Sequence, residues 1–97
     1  MKRLKTIKEI IKKNKRLLEN NYKVKILGIF GSYSQGIPRR GSDIDILVEF
    51  SESLDFFEFL KLEEFLERLL GIKVDLVTRD ALKPLIKDEI LKEAIYI

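Results

Sequence analysis

The 97-residue sequence contains no histidine, cysteine or tryptophan, and only two prolines and one methionine. Without histidine it has neither the usual proton shuttle nor the partner that activates a serine nucleophile, and most transition-metal sites are excluded. Without cysteine it forms no disulfide and offers no thiolate to a metal. No apolar run approaches the roughly 18 residues that mark a membrane span. The charged, periodic N-terminus lacks the pattern of a signal peptide, so a cytoplasmic protein with no membrane association is expected. Chemistry must come from carboxylates, hydroxyls, backbone amides and Lys/Arg.

What is abundant is charge, at 36% of residues, beside 45% hydrophobic content that suffices for one small core. No linker, repeat or low-complexity stretch divides the chain, and residues 1–97 read as a single domain. The net charge of +3 hides an asymmetry: the first 25 residues hold ten Lys/Arg against Glu9 and Glu19, so the remainder is acidic. Leu4, Ile7, Ile11 and Leu18 recur at helical spacing, which predicts one amphipathic helix over residues 4–20 with its lysines on a solvated face. No aromatic residue interleaves with those lysines, so no base-stacking platform is evident and direct nucleic-acid binding is not expected.

Beyond this helix, periodicity predicts an α/β (α+β) fold with a small mixed sheet, helices packed mainly on one face, and the functional site on the other. Val24 to Phe30 reads as a buried strand, followed by a turn from Gly31 to Arg40 containing one helical turn. Ile44 to Phe50 alternates, with Ile44, Ile46, Val48 and Phe50 facing the core and Asp45, Leu47 and Glu49 facing away. Leu54 to Leu70 reads as a helix stopped by Gly71, and Lys73 to Thr78 as a third strand. A last helix begins at Pro84 and runs to about Lys92, and Ala94 to Ile97 suits a short terminal strand. The helix from Leu54 carries more apolar residues than one stripe requires. Phe57 falls among Lys61, Glu64 and Arg68 and is expected to be partly exposed and a candidate contact for a partner.

The most informative stretch runs from Gly31 to Asp45, where Gly31-Ser32 is followed after ten residues by Asp43-Ile44-Asp45. Residues two apart on a strand share a face, so Asp43 and Asp45 present two carboxylates about 6.6–6.8 Å apart along the backbone. A divalent cation is their natural occupant. Gly31 and Ser32 close a strand where free backbone N–H groups can face a phosphate. Asp75 alternates with Val74 and Leu76, and if its strand lies beside Ile44–Phe50, three carboxylates gather and need cations to offset their repulsion. Mg²⁺ fits an all-oxygen donor set, and two ions would suit an in-line phosphoryl displacement. Tyr33 reads as a packing residue. Neither a dinucleotide fingerprint nor a Walker loop is present.

These residues resemble the minimal nucleotidyltransferases of the polymerase-beta-like superfamily, and above all the small prokaryotic members that act as antitoxins beside HEPN-domain toxins. The resemblance covers nearly the whole chain. It implies transfer of AMP from ATP to a tyrosine of a partner HEPN toxin. In this chain Asp43 and Asp45 would bind both Mg²⁺ ions, Asp75 would bind one and help activate the hydroxyl, and Gly31 with Ser32 would grip the triphosphate. Many relatives carry a basic residue where this chain has Gln35; Arg39 or Arg40 is the candidate to supply that contact with the nucleotide. Two other classes stay open: a transferase acting on a small molecule or a nucleic-acid end, and a catalytically idle antitoxin that neutralises its partner by binding alone.

Overall fold

A computed structural model describes residues 3–36, 41 and 43–97. Elements follow in the order α1 (Leu4–Lys13), α2 (Lys15–Tyr22), β1 (Val24–Phe30), β2 (Ile44–Phe50), α3 (Phe56–Leu70), β3 (Val74–Thr78), a 3₁₀ turn (Arg79–Ala81), α4 (Pro84–Glu93) and β4 (Ile95–Tyr96). The strands form one mixed sheet in the order β3-β2-β1-β4. β1 is antiparallel to both β2 and β4, and β3 runs parallel to β2, with α3 as the crossover that a parallel pair requires.

The core lies on one face of the sheet. Leu27 and Ile29 of β1, Ile44, Ile46 and Val48 of β2, and Val74 and Leu76 of β3 meet Ile7 and Ile11 of α1, Leu18 of α2, and Leu62, Leu66 and Leu70 of α3. Burying each such side chain contributes about 1.5–3 kcal/mol, so this layer carries most of the stability. Tyr33 is buried in the same cluster, as a packing residue should be. Val24 also reaches this face although it lies an odd three positions before Leu27; a bulge between Val24 and Ile26 absorbs the extra residue and restores the alternation.

The expected single helix over 4–20 is two helices. Asn14 interrupts it: its backbone N–H donates to Ile11 O at 3.0 Å and its side-chain Nδ2 to Ile10 O at 2.8 Å. That tightened turn and a side chain bonded back onto the helix break the regular ladder. The second helix also runs past the expected stop to Tyr22, whose ring stacks on Phe65 at 4.9 Å, and ends where Lys23 takes a left-handed conformation at φ 58°. α3 begins at Phe56 rather than Leu54, because Asp55 accepts the Glu58 N–H at 2.8 Å and Glu58 Oε1 accepts the Asp55 N–H at 3.3 Å, a reciprocal cap. Gly71, at φ 67°, ends α3 as expected.

β3 is an edge strand, and its outward N–H groups need acceptors. Two glutamates one turn apart on α3 supply them: Glu67 Oε2 accepts from Val74 N–H at 2.9 Å and Glu63 Oε2 from Leu76 N–H at 3.4 Å. α4 is different in kind. None of its residues is buried, and Leu85 is 98% exposed. Phe57 is 73% exposed, as its position among charged neighbours requires, and Phe56 beside it is exposed as well.

Candidate active site

Two strand ends and one turn assemble the site. β2 and β3 pair so that Asp45 lies directly opposite Asp75, and Phe30, the last residue of β1, lies opposite Asp45 on the other side. Asp43 precedes β2 by one residue and is exposed. The parallel pairing of β2 with β3, on which the carboxylate grouping depended, is therefore present. Asp75 stands exposed between Val74 and Leu76, both buried, while Asp45 is partly buried.

Asp45 records the crowding. Its pKa is pushed up from 3.8 to about 6, first by burial, then by the Asp75 charge, by a hydrogen bond in which the protonated Asp45 carboxyl donates to Asp75, and by the charge of Asp43. Among the described residues no three carboxylates are drawn into a finished cation cage. The pair in contact is Asp45 with Asp75, and Asp43 acts on it through charge alone. Asp43 and Asp75 are both exposed.

Gly31 follows Phe30 directly and has φ +72°, in the left-handed region. A Cβ built there would overlap Asp45 Oδ2, so only glycine lets the chain pass this close to the carboxylate. From Gly31 the chain makes one helical turn: Gln35 N–H donates to Gly31 O at 3.3 Å, Gly36 N–H to Tyr33 O at 3.2 Å, and the Ser34 hydroxyl to Gly31 O at 2.8 Å. Ser32 is thus held at the start of a turn whose first N–H groups have no partner within it, beside the carboxylates. Arg39 and Arg40 lie outside the described residues.

Sequence reasoning missed three features here. Glu63 and Glu67 hold the amides on either side of Asp75; their spacing of four on a mostly apolar helix was the available signal. The contact between Gly31 and Asp45 was visible only as a spacing. Leu47 faces away from the core, as alternation predicts, yet is 3% exposed, and it lines a cavity on the carboxylate side of the sheet.

Comparison with known proteins agrees with this arrangement. The nucleotidyltransferase domain family matches residues 5–97. A Methanocaldococcus jannaschii protein, provisionally named a protein adenylyltransferase, is 50% identical over 98 residues, covering 100% of both chains. The protein adenylyltransferase MntA of Thermococcus cleftensis is 42% identical over 94 residues, covering 97% of this chain and 95% of its own. Among solved structures, one provisionally described as a minimal nucleotidyltransferase superposes with a TM-score of 0.84 at 32% identity, covering 97% of this chain and 95% of that one. A toxin-antitoxin structure with AMP-PNP gives 0.71 at 32% identity over 88% of this chain and 69% of that one. A structure of a tri-AMPylated HEPN toxin of Shewanella oneidensis in complex with an MNT antitoxin gives 0.66 at 26% identity, over 93% and 70%. With its Gly-Ser turn set against paired strand carboxylates, the chain belongs to the nucleotidyltransferase family.

Proposed function

We propose that this chain, as one domain over residues 1–97 working in the cytoplasm, is a Mg²⁺-dependent enzyme that transfers AMP from ATP to a tyrosine hydroxyl of a partner HEPN toxin and so acts as its antitoxin. The observation that carries the reading is the pairing of Asp45 with Asp75 across parallel strands, with Gly31 closed against Asp45. The carboxylate set fits Mg²⁺: every donor is oxygen, and a cation would relieve the crowding by Asp75 and Asp43 that helps to raise the Asp45 pKa. Asp43 and Asp45 would hold two ions and Asp75 one. When bound, Mg²⁺ supplies charge that offsets the negative charge spread over the phosphate oxygens in the transition state.

The chain's own groups have definable tasks. Gly31 and Ser32 bind the β and γ phosphates through N–H groups at the start of the turn, and Arg39 and Arg40 add positive charge to the leaving pyrophosphate. Asp75, exposed and open to an incoming residue, orients the tyrosine hydroxyl and takes its proton. A bond forms between the tyrosine oxygen and the α phosphorus, and the bond to the β-phosphate oxygen breaks. The added AMP puts a bulky anion on the toxin, where it would repel an RNA backbone. Two relatives support a protein acceptor, since one is named a protein adenylyltransferase and another is an antitoxin in complex with an AMPylated toxin.

Mass spectrometry of a co-expressed HEPN partner tests this. Added AMP is expected with the wild-type chain and none with Asp43→Asn. Equal inhibition of the partner by both forms, without modification, would mean neutralisation by contact and end the enzymatic reading.

A further inference from the structure

A cavity of about 320 Å³ lies on the carboxylate side of the sheet, outside the groups assigned above. Leu47 is its floor, Ile26 and Tyr96 flank it, Leu91 of α4 forms a wall, and Glu49 and Arg79 close one end as an ion pair at 3.9 Å. The wall is held in place: the Tyr96 hydroxyl donates to Leu91 O at 2.7 Å, tying the end of α4 to β4. The Tyr96 ring in turn packs on Gly28, where an added Cβ would come within 3.0 Å of it. The cavity is thus preformed and lined mainly by apolar side chains, with the Glu49–Arg79 pair and Lys25 as the polar groups that orient what enters.

Its position relative to the carboxylates follows from strand register. Asp45 pairs with Phe30, Leu47 with Gly28, and Glu49 with Ile26. The Gly31 turn therefore stands off one end of the sheet, next to Asp45, and the cavity begins one step along the same face in the opposite direction. In an in-line displacement the nucleophile enters from the side opposite the leaving group. With pyrophosphate held at the Gly31 turn, the acceptor approaches from over Leu47. Alternate residues of an extended chain are about 6.6–6.8 Å apart, which is also the step from Asp45 to Leu47.

We infer that the cavity over Leu47 is an acceptor-recognition slot: it takes a large apolar or aromatic side chain located two residues from the modified residue in an extended segment of the acceptor protein. The inference rests on the AMP-transfer reading and adds to it the means by which one acceptor segment is chosen. An apolar neighbour in the slot anchors the segment, and the hydroxyl is then delivered to Asp75 at a fixed distance. A polar or charged neighbour would leave Leu47, Ile26 and Leu91 unfilled or strand its own polar group among them.

The test uses the acceptor protein that co-purifies with this chain, and two variants that fill the slot from different elements, Ile26→Trp and Leu91→Trp. Both sites are partly exposed, so either variant should fold. The KM for the acceptor is expected to rise about tenfold or more in each, with Mg-ATP affinity by calorimetry within about twofold of wild type. Placing Asp two residues from the acceptor's modified position should raise the KM similarly, and combining it with Leu91→Trp should add little further. Unchanged acceptor KM in both Trp variants would overturn the slot. A rise in the KD for Mg-ATP instead would show that the nucleotide base occupies it, which also overturns the inference. No transfer by the wild-type chain would remove the underlying reading, a result distinct from either.

Discussion

The two faces of β2 carry opposite tasks in alternate residues. Ile44, Ile46 and Val48 are fully buried against the helices, while Asp45, Leu47 and Glu49 look the other way, toward a charged pair, a cavity and an ion pair. The first face is built for stability. The second spends some: a carboxylate crowded by two others and raised to a pKa of about 6 is a strained arrangement that packing on the first face must offset. The comparison teaches that changes on one face should move stability with little direct effect on chemistry, and changes on the other the reverse.

The largest stability effect should come from the buried face. Ile46→Ala, at a fully buried central position, is expected to destabilise by about 2–5 kcal/mol, read as a lower denaturation midpoint, with AMP transfer per folded molecule retained. Loss of transfer at full stability would break the division between the faces. Glu67→Ala should follow at about 1–3 kcal/mol, because the Val74 N–H then loses its acceptor at the β3 edge. Glu67→Gln, which keeps an oxygen acceptor, should recover much of the loss, and hydrogen exchange at the Val74 amide should report both. Full protection at that amide in Glu67→Ala would show that the glutamate does not hold the edge.

Next comes pH. Without metal, folded Asp45 titrates near 6 against 3.8 for the ordinary carboxylate, so between these values the native state binds more protons than the unfolded one. Stability should therefore fall as pH rises from about 4 to 6. The penalty is fully present above the folded pKa and absent below 3.8. The water-facing side of the cluster screens part of it, leaving about 1–2 kcal/mol. The difference between wild type and Asp45→Asn across that window isolates this contribution, and a difference independent of pH would contradict it. The smallest stability effect should be Phe57→Ser, within about 0.5 kcal/mol, because the ring is exposed. Weaker binding to a partner would mark this end of α3 as an interface, and unchanged affinity for every partner would remove that role.

Much of this layout was legible in the sequence for definite reasons. Alternation in Ile44–Phe50 and around Asp75 assigned each residue a face, and the spacing from Gly31-Ser32 to Asp43 and Asp45 marked the carboxylates. The exposure of Phe57 followed from its polar neighbours. What could not be read depends on contacts between distant elements or on local competition. Asn14 is compatible with a continuous helix until its amide bonds back to Ile10. The bulge near Lys25 exists because Val24 and Leu27 must share a face, a demand set by the layer beneath them. The roles of Glu63 and Glu67 require knowing that β3 is an edge. The cavity over Leu47 requires knowing where α4 ends.

The most direct test is a paired measurement on Asp45→Asn: the metal-free melting temperature and the rate of labelled AMP transfer from Mg-ATP to the partner, on the same preparation. The substitution removes a crowded charge and an oxygen proposed to hold metal together. Melting should stay level or rise while transfer falls by at least about 10²–10³-fold. Transfer at the wild-type rate would contradict the assignment of the carboxylate face to catalysis.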